Sequence, residues 1–156
     1  MKFRVRAGAI ILNRSKEVLL VLHRSPLTGE EWWTFPGGGI EEGESAPEAV
    51  KREVEEECGI ECFPDKLVYV REFLGGPEKK VHHVELYFTA RTKKEEVITG
   101  SDPEAEVQFI IESRFMSRAE IVNTSTNVYP EILRDRFWDD LESDFVGQAV
   151  YLGLRE

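Results

Sequence analysis

Hydrophobic residues recur along this chain with two different periods, and the switches between them mark its elements. Phe3 to Leu12 and Val18 to Leu22 are apolar-rich runs on either side of Asn13-Arg14-Ser15-Lys16, which predicts a β-hairpin. Leu67 to Leu74 and Val81 to Ala90 flank Gly75-Gly76-Pro77-Glu78 in the same way and predict another. Within the second run His82 alternates with Val84, Leu86 and Phe88 at the edge of the apolar face, the place of a structural histidine. His83 shares the other face with Glu85 and Tyr87. Val107 to Ile111 reads as a further strand. After Pro130 the period lengthens: Leu133, Phe137 and Leu141 recur at four-residue spacing beside Ile132 and Trp138, predicting a long core-facing helix. The tail from Phe145 to Leu154 fits strand and coil equally.

Between the two predicted hairpins lies the segment with the most local information. Ser45 followed three residues later by Glu48 is a capping box, Pro47 suits a first helical turn, and Gly59 suits a helix end, so residues 46–58 read as one short helix. At 3.6 residues per turn, Ala46, Ala49, Val50, Val54 and Cys58 form its buried stripe. Glu53 and Glu57 fall in that same sector, with Glu56 beside it, while Glu48, Lys51, Arg52 and Glu55 occupy the far side. Three neighbouring carboxylates, half-buried at the C-terminal end of a helix, repel one another and oppose the helix dipole. A cation must compensate. Arg52 supplies one charge, and oxygen-only ligands at i, i+3 and i+4 are what a hard divalent ion prefers. A solvated acidic face would point the other way.

Composition narrows the classes. With 156 residues, 41% hydrophobic and 32% charged, the chain suits one compact domain with its own core and no dividing linker or repeat. Formal net charge −10 argues against a nucleic-acid polymer as partner, because phosphate-backbone affinity comes from clustered Lys and Arg. A small nucleotide held through a metal escapes that objection. The apolar run from Ala7 to Leu12 is far too short for a membrane span, and the first residues lack a signal-peptide pattern, so the expected address is the cytoplasm. Cys58 and Cys62 form neither a disulfide framework nor a zinc set and are read as structural.

Gly38, Glu44 and then Arg52-Glu53-Val54-Glu55-Glu56-Glu57-Cys58-Gly59-Ile60 together resemble the box of the Nudix hydrolases, G-x5-E-x7-R-E-U-x-E-E-x-G-U with U a bulky aliphatic. All nine constrained positions match, and Trp33 to Gly38 resembles the usual run into that box. The resemblance implies an α/β fold, a Nudix-type α/β/α sandwich with a mixed β-sheet and the box as loop-helix-loop, in a single domain over residues 1–156. It also implies a hydrolase that splits a diphosphate linkage in a nucleoside diphosphate derivative with Mg²⁺ or Mn²⁺.

By the same resemblance Glu53, Glu56 and Glu57 are the metal-binding or base-carrying carboxylates, the Gly37 carbonyl is a further ligand, and Arg52 orients the cluster together with Glu44. The general base is either Glu53 or a glutamate on a distant loop. Glu106, directly before Val107, matches the family's acidic position better than Glu104, and Glu106 is also a candidate metal ligand. Arg24 and Arg6 are candidates for the substrate phosphates. Trp33 and Phe35 are expected in the core, which leaves Trp32, pointing the opposite way along an extended segment, to stack on a base. ADP-ribose or another nucleotide sugar fits the position of Pro77; a nucleoside triphosphate fits equally well. The alternative from another class is a sensor that binds a nucleotide without hydrolysing it. The oligomeric state is open, a homodimer included.

Overall fold

The structure is a computed structural model that describes residues 1–101 and 109–155. Among these residues nine strands form two mixed sheets. In the larger, β1 (Lys2–Ile10) lies between β4 (Gly37–Gly39) and β6 (Val81–Thr92); β6 then pairs with β5 (Cys62–Gly75), and β9 (Val150–Arg155) closes the far edge. In the smaller, β2 (Val18–Arg24) lies between β7 (Ile110–Met116) and β3 (Glu31–Thr34), with β8 (Asn127–Tyr129) outside β3. Among the described residues three α-helices accompany them: α1 (Ala46–Cys58), α2 (Arg118–Asn123) and α3 (Arg136–Glu142).

A core sits on each side of the strands, so the architecture is an α/β sandwich. Ala7, Ala9 and Ile11 pack with Leu19 and Val21 against Ala49, Val50, Val54 and Cys58 of α1. The alternate residues Ile10, Val18 and Leu20 face the other core, with Phe35, Tyr87, Leu133 and Phe137. Burial on both faces is why these stretches read as continuous apolar runs rather than as alternating ones.

Three expectations are corrected. The first predicted hairpin closes only at its base, where Leu12 bridges Val18 and the Leu19 N–H donates to the Ile11 carbonyl. Beyond that bridge β1 and β2 part into different sheets, β1 between β4 and β6, and β2 between its neighbour in sequence β3 and the distant β7. The long helix after Pro130 is broken: Glu131–Arg134 is a 3₁₀ turn, Asp135 leaves helical geometry at φ −143°, ψ −90°, and α3 starts anew behind it. In β6 the buried residues are Glu85, Tyr87 and Ala90, whereas Val84, Leu86 and Phe88 are only half-buried. The second hairpin forms as expected between β5 and β6. Of the predicted 107–111 strand, residues 107 and 108 lie outside the described residues, and β7 starts at Ile110.

Candidate active site

Helix α1 is fixed at both ends. The Ser45 side chain accepts from the Glu48 N–H while the Glu48 side chain accepts from the Ser45 N–H, and Gly59 closes the helix in the left-handed conformation at φ 67°. The carbonyls of its last turn are then taken up one by one. Gly59 N–H donates to Glu55, Ser101 N–H to Glu56, Gly100 N–H and the Ser113 hydroxyl to Glu57, and Ile98 N–H to Cys58. This anchoring holds the carboxylate-bearing turn without a basic residue at the helix end.

The acidic cluster is organised by one guanidinium. Arg52 donates to both oxygens of Glu44, at 2.8 Å from Nε and 2.9 Å from Nη2, and its Nη1 reaches Glu53 at 2.8 Å and Glu56 at 3.4 Å. Nη2 also donates to the Gly39 carbonyl at 3.0 Å, which ties helix to strand β4. Hydrogen bonding to Glu44 raises the Arg52 pKa, burial opposes it, and Glu53 adds to the rise. Reciprocally, the hydrogen bonds from Arg52 hold Glu44 below the usual carboxylate range. Glu57 is only 2% exposed and accepts the Gly37 N–H at 2.9 Å. The close packing of β4 on β1 requires glycine at position 37, where a Cβ would collide with the backbone of Ala7 and Gly8. Helix and glycine strand therefore bring Arg52, Glu53, Glu56, Glu57 and Gly37 together. Among the described residues no three acidic, histidine or cysteine side chains already converge as a metal cage. The donors are nonetheless all oxygens, and one arginine faces several carboxylates, a set whose chemistry fits a hard divalent cation.

Where the sheets diverge, a groove of about 760 Å³ opens between β1, β5 and β6 on one wall and β3 and β8 on the other. Arg6, Trp32, Arg71, Phe73, His83 and Glu85 are among its lining residues. Trp32 is half-buried here and stacks on His23 at 5.5 Å, whereas Trp33 is in the core. Arg6 reaches towards the glycine strand, with Nη2 3.4 Å from the Gly37 carbonyl, and a narrow cleft shared by Arg6, Thr34 and Glu85 runs on to Gly37 and Gly38. Arg24 does not line the groove; it is tied to Glu31 by bonds of 3.0 and 2.7 Å at the exposed end of β2. Glu104 and Glu106 lie outside the described residues. The chain before them is held at the end of α1 by Ser101.

Sequence reasoning missed Arg71 and Glu85. Both are 5% exposed, and they face each other across β5 and β6. A charged residue inside the apolar run Leu67 to Leu74 was the available signal. His82, by contrast, hydrogen-bonds Glu72 at 2.9 Å and stacks on Phe3, remote from this groove. His83 is held below its ordinary pKa, first by burial and then by Arg6 and Arg4, and stays neutral.

The sequence profile of the NUDIX domain matches residues 2–135. The chain belongs to the Nudix hydrolases. A Nudix hydrolase of Nitrosomonas europaea superposes with a TM-score of 0.68 at 22% identity, over 92% of this chain and 90% of that one. A MutT protein of Methanosarcina mazei superposes at 0.66 with 25% identity, over 92% and 96%. In sequence, the chain is 45% identical over 65 residues to the 8-oxo-dGDP phosphatase NUDT18 of Danio rerio, covering 42% of this chain and 20% of the relative. It is 47% identical over 58 residues to an RNA pyrophosphohydrolase of Shewanella piezotolerans, covering 37% and 31%. The chain thus spans a third or less of the length of these two curated relatives. Nudix hydrolases act on small nucleotides and generally use divalent metal ions. Among the described residues no helix is long and apolar enough to cross a membrane.

Proposed function

We propose that this Nudix hydrolase is a divalent-metal-dependent pyrophosphohydrolase that cleaves a diphosphate linkage in a nucleoside diphosphate derivative. The observation that carries the reading is the Arg52 clamp, which gathers Glu44, Glu53 and Glu56 against a glycine strand whose Gly37 N–H holds Glu57. Glu53, Glu56, Glu57 and the Gly37 carbonyl would hold Mg²⁺ or Mn²⁺. Such an ion, when bound, neutralises pyrophosphate oxygens and makes a water more acidic. The chain's own residues do the rest. Arg52 holds Glu44 ionised and orients Glu53 and Glu56, and Glu53 accepts the proton of the attacking water unless Glu106, or Glu104 in its place, does so. Arg6 faces the phosphates at the mouth of the cleft, and the groove takes the nucleoside with Trp32 against the base. The same reading treats residues 1–156 as one Nudix domain.

ADP-ribose or another nucleotide sugar and a nucleoside triphosphate are the candidate substrates, and the relatives' names add 8-oxo-dGDP and RNA to the range. The test is chromatographic detection of products across that panel (AMP and ribose 5-phosphate from ADP-ribose, a monophosphate and pyrophosphate from a triphosphate) with Mg²⁺, with Mn²⁺ and in excess chelator. Turnover is expected with metal only. Activity that survives the chelator would refute the metal role; tight nucleotide binding with no turnover on any substrate would favour the non-hydrolysing sensor.

A further inference from the structure

In the groove, starting beside the glycine strand at Arg6 and running away from it, three strands place charged residues in a single row. Arg6 of β1 and Arg71 of β5 both stand opposite Glu85 of the intervening β6. Glu85 accepts from Arg71 Nη1 at 2.8 Å with one oxygen and from Arg6 Nη1 at 3.3 Å with the other. Arg71 has a further partner in Glu131 at 3.3 Å, but that side chain is 53% exposed and screened by solvent. One buried carboxylate thus serves two guanidinium groups. The Nε atoms of both arginines, and Nδ1 of His83 beside them, are buried with no hydrogen-bond partner among the described residues.

Buried charge is normally paired, and a buried donor without an acceptor is costly. Here the surplus is one of N–H donors rather than of charge: Arg6 also feels the Glu57 and Glu53 carboxylates, yet both arginine Nε–H groups lack an acceptor among the described residues. The surplus is also rigid. The Arg71 guanidinium lies 4.7 Å from the Phe73 ring centroid and 5.6 Å from that of Tyr129, so two aromatic faces fix its plane. A flat, immobilised fork lining a groove is suited to an oxyanion, which accepts two parallel N–H bonds.

We infer that Arg71, with Arg6 across Glu85, forms an anion subsite that holds a phosphate of the nucleotide without a metal ion, and that Glu85 is the residue that positions both arginines. The inference rests on the reading of this groove as the substrate cleft but not on turnover. It assigns the floor to phosphate recognition and leaves the nucleoside to the aromatic wall at Trp32.

The experiment is calorimetric titration of the full chain in excess chelator, comparing AMP and UMP with adenosine and uridine. Both monophosphates should bind at least about tenfold more tightly than their nucleosides, the difference expected from one or two charge-assisted hydrogen bonds. Raising the salt concentration should narrow the gap. Arg71→Lys keeps the charge that Glu85 requires, so it should fold, but it loses the planar fork and should weaken AMP about five- to tenfold while leaving adenosine unchanged. Glu85→Gln should change AMP affinity without changing that of adenosine. Nucleosides that bind as tightly as monophosphates, or variants that fold normally and bind AMP like the wild type, would overturn the subsite. Metal-free AMP binding in a protein that hydrolyses nothing would sink the hydrolase reading and leave this one standing.

Discussion

Glu57 joins two demands that pull against each other: it is nearly inaccessible, yet it belongs to a crowd of carboxylates. The Gly37 N–H at 2.9 Å compensates part of its burial. Glu57→Gln keeps the shape and an acceptor oxygen for that bond while removing one charge, so the metal-free melting temperature should hold or rise. Turnover should fall by about a hundredfold or more, read as kcat/KM at saturating Mg²⁺. Glu44 gives the opposite case, because its charge is wanted. Arg52 holds its pKa below the usual carboxylate range, so the unfolded chain takes up that proton more readily than the folded one. The clamp's contribution is complete above about pH 5 and is lost as pH falls through the lowered folded value. Melting curves from neutral pH to about pH 3 should therefore show the wild-type advantage over Glu44→Gln shrinking in acid. An advantage that grew in acid would contradict the clamp. Arg52→Ala should cost about 2–3 kcal/mol at neutral pH, since it leaves half-buried carboxylates without their counter-charge.

Helix α1 depends on the chain that seals its C-terminal carbonyls as much as on its own cap. A Cβ on Gly100 would sit 1.8 Å from the Glu56 carbonyl oxygen, so Gly100→Ala must push the 98–101 segment off the helix end. We expect a loss of about 2–4 kcal/mol together with lower activity, measured by denaturant unfolding and turnover on the same sample. Gly43→Ala, where a Cβ meets nothing within 4 Å, should cost about 1 kcal/mol, from the positive φ of 77° alone. The helix itself was legible to the residue, because capping box, proline, stripe and terminal glycine are all written within fifteen positions of one another. The sealing segment was not, since nothing local marks Gly100 as a partner of Glu57. The 3₁₀ break before α3 was hidden too: Leu133 and Phe137 are both fully buried, so their spacing mimics one continuous helix across Asp135. Arg6, Arg71 and Glu85 meet only through strand register, which no sequence window contains.

At the scale of the whole molecule, α1 and the two sheets keep the chemistry at one place and shield what does not take part. Cys58 and Cys62 illustrate the shielding. Burial pushes the Cys58 thiol up to about 12, with Glu57 adding to the rise, and burial pushes Cys62 up to about 11. Neither is then a thiolate at neutral pH, and both should resist an aromatic disulfide reagent at pH 8 until the protein unfolds. A fast-reacting native thiol would contradict this packing. The parting of β1 from β2 after the Leu12–Val18 bridge has a further consequence, in time rather than in space. Because these neighbours part, β1 meets β6 only across a long loop, Arg6 and Glu85 being 79 residues apart, while β2 has a near partner in β3 and a distant one in β7. Contacts of that separation slow folding, because the entropy of loop closure is lost before the contacts compensate it. The groove, which needs both sheets, is therefore expected to form late, after the local β2–β3 and β5–β6 hairpins.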